Sequence, residues 1–294
     1  MTLVTQGATS LGAVLAISGV SIVTFQVARR RRILGSTLAK RWMTWAVLAP
    51  IWLVASVWAP GRTAILTGFA VVAAVEFGRL DRSLTAPDRW LIAAWATISV
   101  PAFSFFGVDP LQLVVLAVLS SLVVPLVTQD VSEGPSRIAG VTIAFVVVVL
   151  PFVVLDQFAT QLGGAAFFTV GLAVALSDVL AFVLGSTIGR RRIAPVLSPN
   201  KTVAGTVGNV IGASAGVGIS MAVGIAAVGM WWIAPVVVVG AVVGDLFISL
   251  MKRNAGVKDA GSWLPGFGGL LDRIDSLLVS ALLLYAAMGL VGMS

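Results

Sequence analysis

A chain of 294 residues that is 59% hydrophobic and only 11% charged, with a mean hydropathy of +1.05, falls outside the soluble globular class, where about 25% of residues are charged. It contains no cysteine and no histidine, which excludes disulfides, thiol nucleophiles and thiolate metal sites and removes the commonest general base and zinc ligand. Any chemistry falls to carboxylates, Lys, Arg, hydroxyls or a bound metal, and the net charge of +7 is a matter of membrane topology rather than of nucleic acid.

Ten apolar segments are long enough to cross a bilayer, which takes about 17–25 residues. In chain order they lie near 8–27, 42–59, 63–80, 90–107, 110–128, 138–155, 163–187, 204–228, 231–251 and 276–293. The first has no basic residue before it and is followed by Arg29 to Arg32. It therefore reads as a membrane helix whose C-terminal end stays in the cytoplasm, not as a cleavable signal peptide. Alternate threading puts the loop from Arg29 to Arg41 in the cytoplasm together with Arg79, Arg82, Arg89, Arg137, Arg190 to Arg192, Lys201, Lys252, Arg253, Lys258 and Arg273. Of the 19 basic residues only Arg62 falls on the other side, a strong positive-inside pattern. The expected fold is all-α: a polytopic integral membrane protein of about ten transmembrane helices in the plasma membrane. Fifteen Arg against four Lys, with abundant Ala, Val and Gly, point to a GC-rich bacterial gene.

The two parts of the chain differ in kind. Residues 1–160 read as scaffold helices of Val, Ala, Leu and Trp, with Glu76 as the one carboxylate noted inside them. Residues 161–294 place carboxylates inside helices and carry two cytoplasmic loops, 188–203 and 252–275. Glycines recur at four-residue spacing, at Gly185 and Gly189 and at Gly208, Gly212 and Gly216, the pattern that lets helix backbones approach closely.

Four carboxylates focus the chemistry. Asp178 lies inside the seventh segment, Asp245 inside the ninth, and Asp272 and Asp275 where the tenth begins. An ionised Asp at a helix centre costs about 2.5–3.5 kcal/mol on insertion scales, so such residues usually face a cavity, an ion or a partner. Asp245 shares a helix face with Ser249 and Lys252 and so also suits a plain Asp–Lys pair. Asp272 and Asp275, three apart, point the same way and serve either as helix-start charges or as metal ligands. Three nearby cations, Lys252, Arg253 and Lys258, favour a magnesium–polyphosphate site, since Mg²⁺ takes one or two carboxylates and completes its shell with water and phosphate oxygens. Pro265, Gly266, Gly268 and Gly269 permit either a re-entrant turn or a phosphate cradle of backbone N–H groups. Ser198, Pro199, Asn200, Lys201 and Thr202 read as a proline-stiffened turn carrying a second phosphate clamp, and Arg190 to Arg192 as topology signals.

At these residues the sequence resembles the membrane phosphatidate cytidylyltransferases, or CDP-diacylglycerol synthases. The resemblance rests on Ser249, Lys252, Arg253, Lys258, Asp259, the turn Pro265-Gly266-Phe267-Gly268-Gly269 and the end Asp272-Arg273-Ile274-Asp275, with Ser198-Pro199-Asn200-Lys201-Thr202 upstream. It spans residues 161–294; before them only Glu76-Phe77 suggests it. Phe267 stands where the family turn usually has His, Ala204 where a Glu is usual, and Ile248 where a Glu is common, departures that suit a paralogue with another lipid acceptor or a weakened enzyme.

The resemblance implies an enzyme that converts CTP and phosphatidate, or a related lipid phosphate, to CDP-diacylglycerol and pyrophosphate. It implies Mg²⁺ held by Asp245, Asp272 and Asp275, with Asp178 shaping the cavity or supporting a second cation. Asp245, Asp272, Asp275 and Lys258 are the expected catalytic residues. Ser198, Lys201, Thr202, Ser249, Lys252, Arg253, Asp259, Gly266, Gly268, Gly269 and Arg273 are the expected substrate-binding residues. The expected partners are CTP, the lipid phosphate and the bilayer, with no nucleic acid; a homodimer is expected from the resemblance alone. The alternatives are a CTP-dependent polyprenol kinase and a non-catalytic lipid-binding or transport paralogue.

Overall fold

The structure is a computed structural model. It describes residues 37–261 and 268–290, with side chains from residue 46 onward, together with Leu3, Thr5, Gly7, Thr9 and Gly12. The expected first span, apart from Thr9 and Gly12, and the turn residues Pro265, Gly266 and Phe267 lie outside the described residues.

Apolar runs punctuated by proline, glycine and capping carboxylates set the helices. α1 is Thr37–Val57. α2, Ala59–Leu80, carries Pro60 in its first turn, where the missing N–H has no helical partner to lose. α3, Ala86–Phe106, starts from a reciprocal Thr85–Asp88 capping box and stops at Gly107, whose φ of 65° is left-handed. α4 is Pro110–Thr128, begun by Asp109, whose carboxylate accepts the Leu111 N–H at 2.7 Å.

α5 (Gly134–Ile143), a π-helical stretch (Ala144–Val149) and α6 (Leu150–Thr187) continue one another as a 54-residue apolar stretch. At about 1.5 Å per residue that greatly exceeds a hydrocarbon core of about 30 Å. The stretch breaks inside α6 at Gly163, where φ is 85° and ψ is 164°, a backbone conformation essentially reserved for glycine. The sixth and seventh expected spans thus meet at one residue with no loop between them. Counting this stretch once, seven helices among the described residues are long and apolar enough to cross a membrane. The figure of about ten is not reproduced as such: two spans run together, α1 shows only the shorter apolar run Ala46–Val57, and the first span is not described.

The chain continues as β1 (Arg192–Ala194), β2 (Ser198–Thr202), α7 (Val203–Ala222), a 3-10 turn (Val228–Trp232), α8 (Ile233–Asn254) and α9 (Leu271–Leu290). α7 is shorter than its expected span, and α9 begins earlier, so that Asp272 and Asp275 both lie inside it. β1 and β2 pair antiparallel, Arg192 opposite Thr202 and Ala194 opposite Ser198. Ser198 to Thr202 therefore form a strand, not the expected turn, and the turn falls on Pro195, Val196 and Leu197. Pairing satisfies backbone groups, and Pro199 is tolerated because a two-stranded ribbon has only edges.

Polar contacts sort the connections into two ends. At one end, Arg137 reaches both Asp88 (2.8 Å) and Asp130 (2.9 Å). The Asp130 carboxyl is held below the usual carboxylate range by the Glu133 backbone N–H and by Arg137. Arg82 donates to the Ala255 carbonyl and Arg253 to that of Leu197 (3.3 Å) at this same end. At the opposite end, the buried Arg62 pairs with the buried Asp156 at 2.6 Å, while Thr63 and Ser104 hydroxyls meet at 2.7 Å. Asp156 is a second carboxylate within the apolar first part, beyond the Glu76 noted from the sequence.

The 54-residue stretch forms the centre, with 61% of its apolar window buried against 22% for α4. Its Phe145, Phe152, Phe158 and Phe167 are fully enclosed. α7 lies directly on α6: a Cβ on Gly208 or Gly212 would run into the carbonyl oxygens of Leu180 or Leu176, and one on Gly216 would come within 2.6 Å of the Ala173 Cα. This backbone-to-backbone approach brings the polar residues of α6 and α7 to one wall.

Candidate active site

The site is built around the start of α9. A helix start leaves backbone N–H groups without partners, and here two carboxylates take them. Asp272 accepts the N–H groups of Gly269 (3.1 Å) and Ala260 (2.8 Å). Glu76, nearly 200 residues upstream and buried in α2, accepts those of Leu270 (3.1 Å) and Leu271 (2.7 Å). Negative charge at a helix N-terminus is favourable, so the loop before α9 is tied from both sides. Gly268 fits there because its φ is 81° and because a Cβ would stand 3.0 Å from an Asp272 carboxylate oxygen.

Beside this start lies a hollow of about 570 Å³ between α6, the hairpin, α7, α8 and α9. All four expected carboxylates line it: Asp178 from α6, Asp245 from α8, and Asp272 and Asp275 from α9. Lys201 of β2 reaches in and pairs with Asp245. Lys252 pairs with Asp272 at 2.5 Å from the end of α8, so it turns to the next helix instead of closing the Asp245–Lys252 pair on its own helix. Ser276 donates its hydroxyl to Asp178 (2.9 Å) and its N–H to Asp275 (2.8 Å). Ser177 donates to the side-chain oxygen of Asn209 (3.1 Å), placing an amide at the α6–α7 wall.

Thr202 lines the hollow and also caps α7, its hydroxyl accepting the Gly205 N–H at 3.1 Å. Gly185 and Gly189 face that same hydroxyl, where a Cβ on Gly189 would collide with it. Arg273 lines the hollow as well. Ser198, Ser249, Lys252, Arg253, Lys258, Asp259, Gly268 and Gly269 stand outside its lining. Of these, Ser249 is buried in α8, Arg253 holds the hairpin turn, and Lys258 and Asp259 are exposed. Gly266 is outside the described residues. Sequence reasoning took Arg190 and Arg192 for topology signals, yet both line the hollow. It also left Glu76 and Asn209 without a role; the lone carboxylate in an apolar segment was the available signal for Glu76, and Asn209 among the α7 glycines carried a weaker one.

Among the described residues no three carboxylates stand close enough together to hold a metal. The donors do fit Mg²⁺ carried in by a polyphosphate, which needs only one or two protein carboxylates. Asp245 and Asp272 each have an ammonium partner, Asp178 has the Ser276 hydroxyl and Asp275 the Ser276 backbone N–H, so each carboxylate has a partner before any ligand arrives.

A sequence profile described as the cytidylyltransferase family matches residues 39–291. The chain belongs to this family. Relatives include proteins named phosphatidate cytidylyltransferase from Brucella abortus biovar 1 (strain 9-941), 42% identical over 37% of this chain and 41% of the relative, and from Helicobacter pylori (strain ATCC 700392 / 26695), 39% identical over 42% of this chain and 47% of the relative. A phosphatidate cytidylyltransferase of Synechocystis sp. (strain ATCC 27184 / PCC 6803 / Kazusa) is 37% identical over 37% of this chain and 38% of its own length. The chain thus spans less than half the length of these curated relatives.

Proposed function

We propose that this cytidylyltransferase-family protein transfers the cytidylyl group of CTP to phosphatidate, or to a closely related lipid phosphate, giving CDP-diacylglycerol and pyrophosphate. The observation that carries the reading is the gathering of Asp178, Asp245, Asp272 and Asp275 with Lys201 in one hollow, at the end of membrane-length helices. One substrate is water-borne and the other lipid-borne, and such a place is where both can arrive. The names of the relatives support the choice of substrates. The basic loop end would face the cytoplasm, in the plasma membrane of a bacterium.

In the reaction an oxygen of the lipid phosphate attacks the α-phosphorus of CTP. The bond from that phosphorus to the bridging oxygen breaks, and the electron pair leaves on pyrophosphate. A phosphate monoester is already anionic near neutral pH, so no side chain has to remove a proton, and a histidine-free chain is equal to the task. The obstacle is repulsion between two anions. Lys201, Lys252, Arg190, Arg192 and Arg273 supply positive charge around the hollow, and charge-assisted bonds to phosphate are the strong ones. When a nucleotide enters, Lys201 and Lys252 exchange their carboxylates for phosphate oxygens, which frees Asp245 and the Asp272 oxygen that Lys252 held. One or two of Asp245, Asp272 and Asp275 would hold Mg²⁺ brought in with the phosphates, and the ion would supply charge stabilisation at the transferred phosphoryl group. Asp178, held by Ser276, would shape the polar wall or support a second cation, and Lys258 would close over the nucleotide from the exposed loop.

The test incubates purified protein in lipid nanodiscs with labelled CTP, phosphatidate and Mg²⁺. CDP-lipid and pyrophosphate are expected, abolished by EDTA and restored by added Mg²⁺. Lipid phosphate with CDP would instead identify a kinase. No product from a folded protein with any lipid phosphate would reject the enzymatic reading.

A further inference from the structure

Next to the polar hollow lies a second, apolar groove, and the two share Leu48 and Arg273. Its walls come from α1 (Leu48, Trp52), α2 (Phe69), α6 (Phe168, Ala175) and α9 (Leu277), so it runs within the membrane-length part of the bundle. Beyond Arg273 its lining carries no charged residue among those described. One wall is firmly set. The Trp52 indole stacks on Phe167 at 4.1 Å and 7°, donates to the Phe167 carbonyl (3.1 Å), and lies so close to α6 that a Cβ on Gly171 would strike it.

Asp272 and Asp275 face the hollow only, whereas Arg273 borders both spaces. A guanidinium where a polar hollow meets an apolar slot matches a molecule with a phosphate at one end and hydrocarbon at the other. The slot holds about 50 Å³, room for roughly three to five water-sized groups. That suits the first methylenes of one chain and not two chains side by side.

We infer that this groove receives one acyl chain of the lipid phosphate substrate, with Arg273 at its mouth holding the phosphate towards the hollow. The inference rests on the proposed reaction and adds the lipid's subsite and orientation. Leu48 and Arg273 mark the passage between tail and headgroup, so the reacting phosphate is delivered from the side of the bundle while the nucleotide comes from its end.

The test uses phosphatidate bearing a photoactivatable diazirine on one acyl chain, in nanodiscs with the full chain, and maps adducts by mass spectrometry. Adducts should concentrate on Trp52, Phe168 and Leu172. They should fall roughly tenfold or more in Ala175→Phe, which fills the slot from α6. Ala49→Phe, which fills it from α1, is the second variant should the first not fold, as judged by its melting curve. A phosphatidylcholine probe of the same chain should show no such concentration. Equal labelling of the groove and of outward residues of α4, labelling unchanged in both variants, or equal labelling by the phosphatidylcholine probe would overturn the inference. Labelling requires no turnover. Groove adducts without CDP-lipid formation would therefore sink the reaction and leave the subsite, and turnover without groove adducts would do the reverse.

Discussion

Asp245 and Asp272 face the same hollow but carry different structural duties, and substitution should separate them. Asp245 has Lys201 as its partner, and Asp245→Asn keeps the shape while removing the charge. Its turnover should fall by about 10²-fold or more, the scale seen when a group stabilising developing charge is removed, with little change in melting temperature. Asp272 accepts from Lys252, Ala260 and Gly269. Asp272→Asn should lose both activity and about 1–3 kcal/mol of stability, because a buried donor is left without its acceptor. Parallel activity assays and thermal unfolding in detergent decide this. Glu76 belongs to the same group: Glu76→Ala should cost about 1–2 kcal/mol, the usual worth of a helix-start acceptor, and should lower activity by loosening the Asp272 loop, although Glu76 does not line the hollow.

Helix packing explains why the glycines of α7 resist substitution. Gly212→Ala would push a methyl group into the Leu176 carbonyl of α6, and neither backbone can move aside alone. A loss of about 1–3 kcal/mol is expected, as for other overpacked cores. Gly68→Ala, where nothing lies within 4 Å, should match or slightly exceed wild-type stability because alanine suits a helix better. Melting curves of the two variants are the comparison. At this scale much was legible in the sequence. Apolar run length placed α1 to α4 and α8 to within a few residues, since a bilayer demands continuous apolar helix, and the four-residue glycine spacing announced a close helix approach without naming its partners, which are α6 and α7. Asp178 and Asp245 were readable for a related reason, since an acid inside an apolar run needs a cause, and Asp272 and Asp275 by their three-residue spacing at a helix start. The break at Gly163 was not, because both sides are equally apolar and only a backbone angle marks it. Nor was the β hairpin, whose Ser-Pro-Asn-Lys-Thr strand is composed like a turn. Glu76 binding Leu270 and Leu271, and Arg62 binding Asp156, depend on long-range contacts that no local pattern encodes.

Across the whole molecule, alternation of the helices predicts sidedness. The chain has no cysteine, so single cysteines can be introduced without removing others. Val131→Cys and Val196→Cys, at exposed positions of the basic end, should react with a membrane-impermeant maleimide from one face of a vesicle. Val228→Cys, exposed in the turn before α8, should react from the opposite face. Labelling of all three from the same face would break the threading. The bonds from Glu76 to the start of α9 have a further consequence for anyone wishing to shorten this protein. The residues of the family pattern crowd into its later part, yet their platform is fastened by a side chain from the earlier part. A piece consisting of residues 161–294 would keep the pattern from Asp178 to Asp275 but lose the Glu76 acceptor for the Leu270 and Leu271 N–H groups, so this part of the chain should not behave as a module that can be excised or grafted elsewhere.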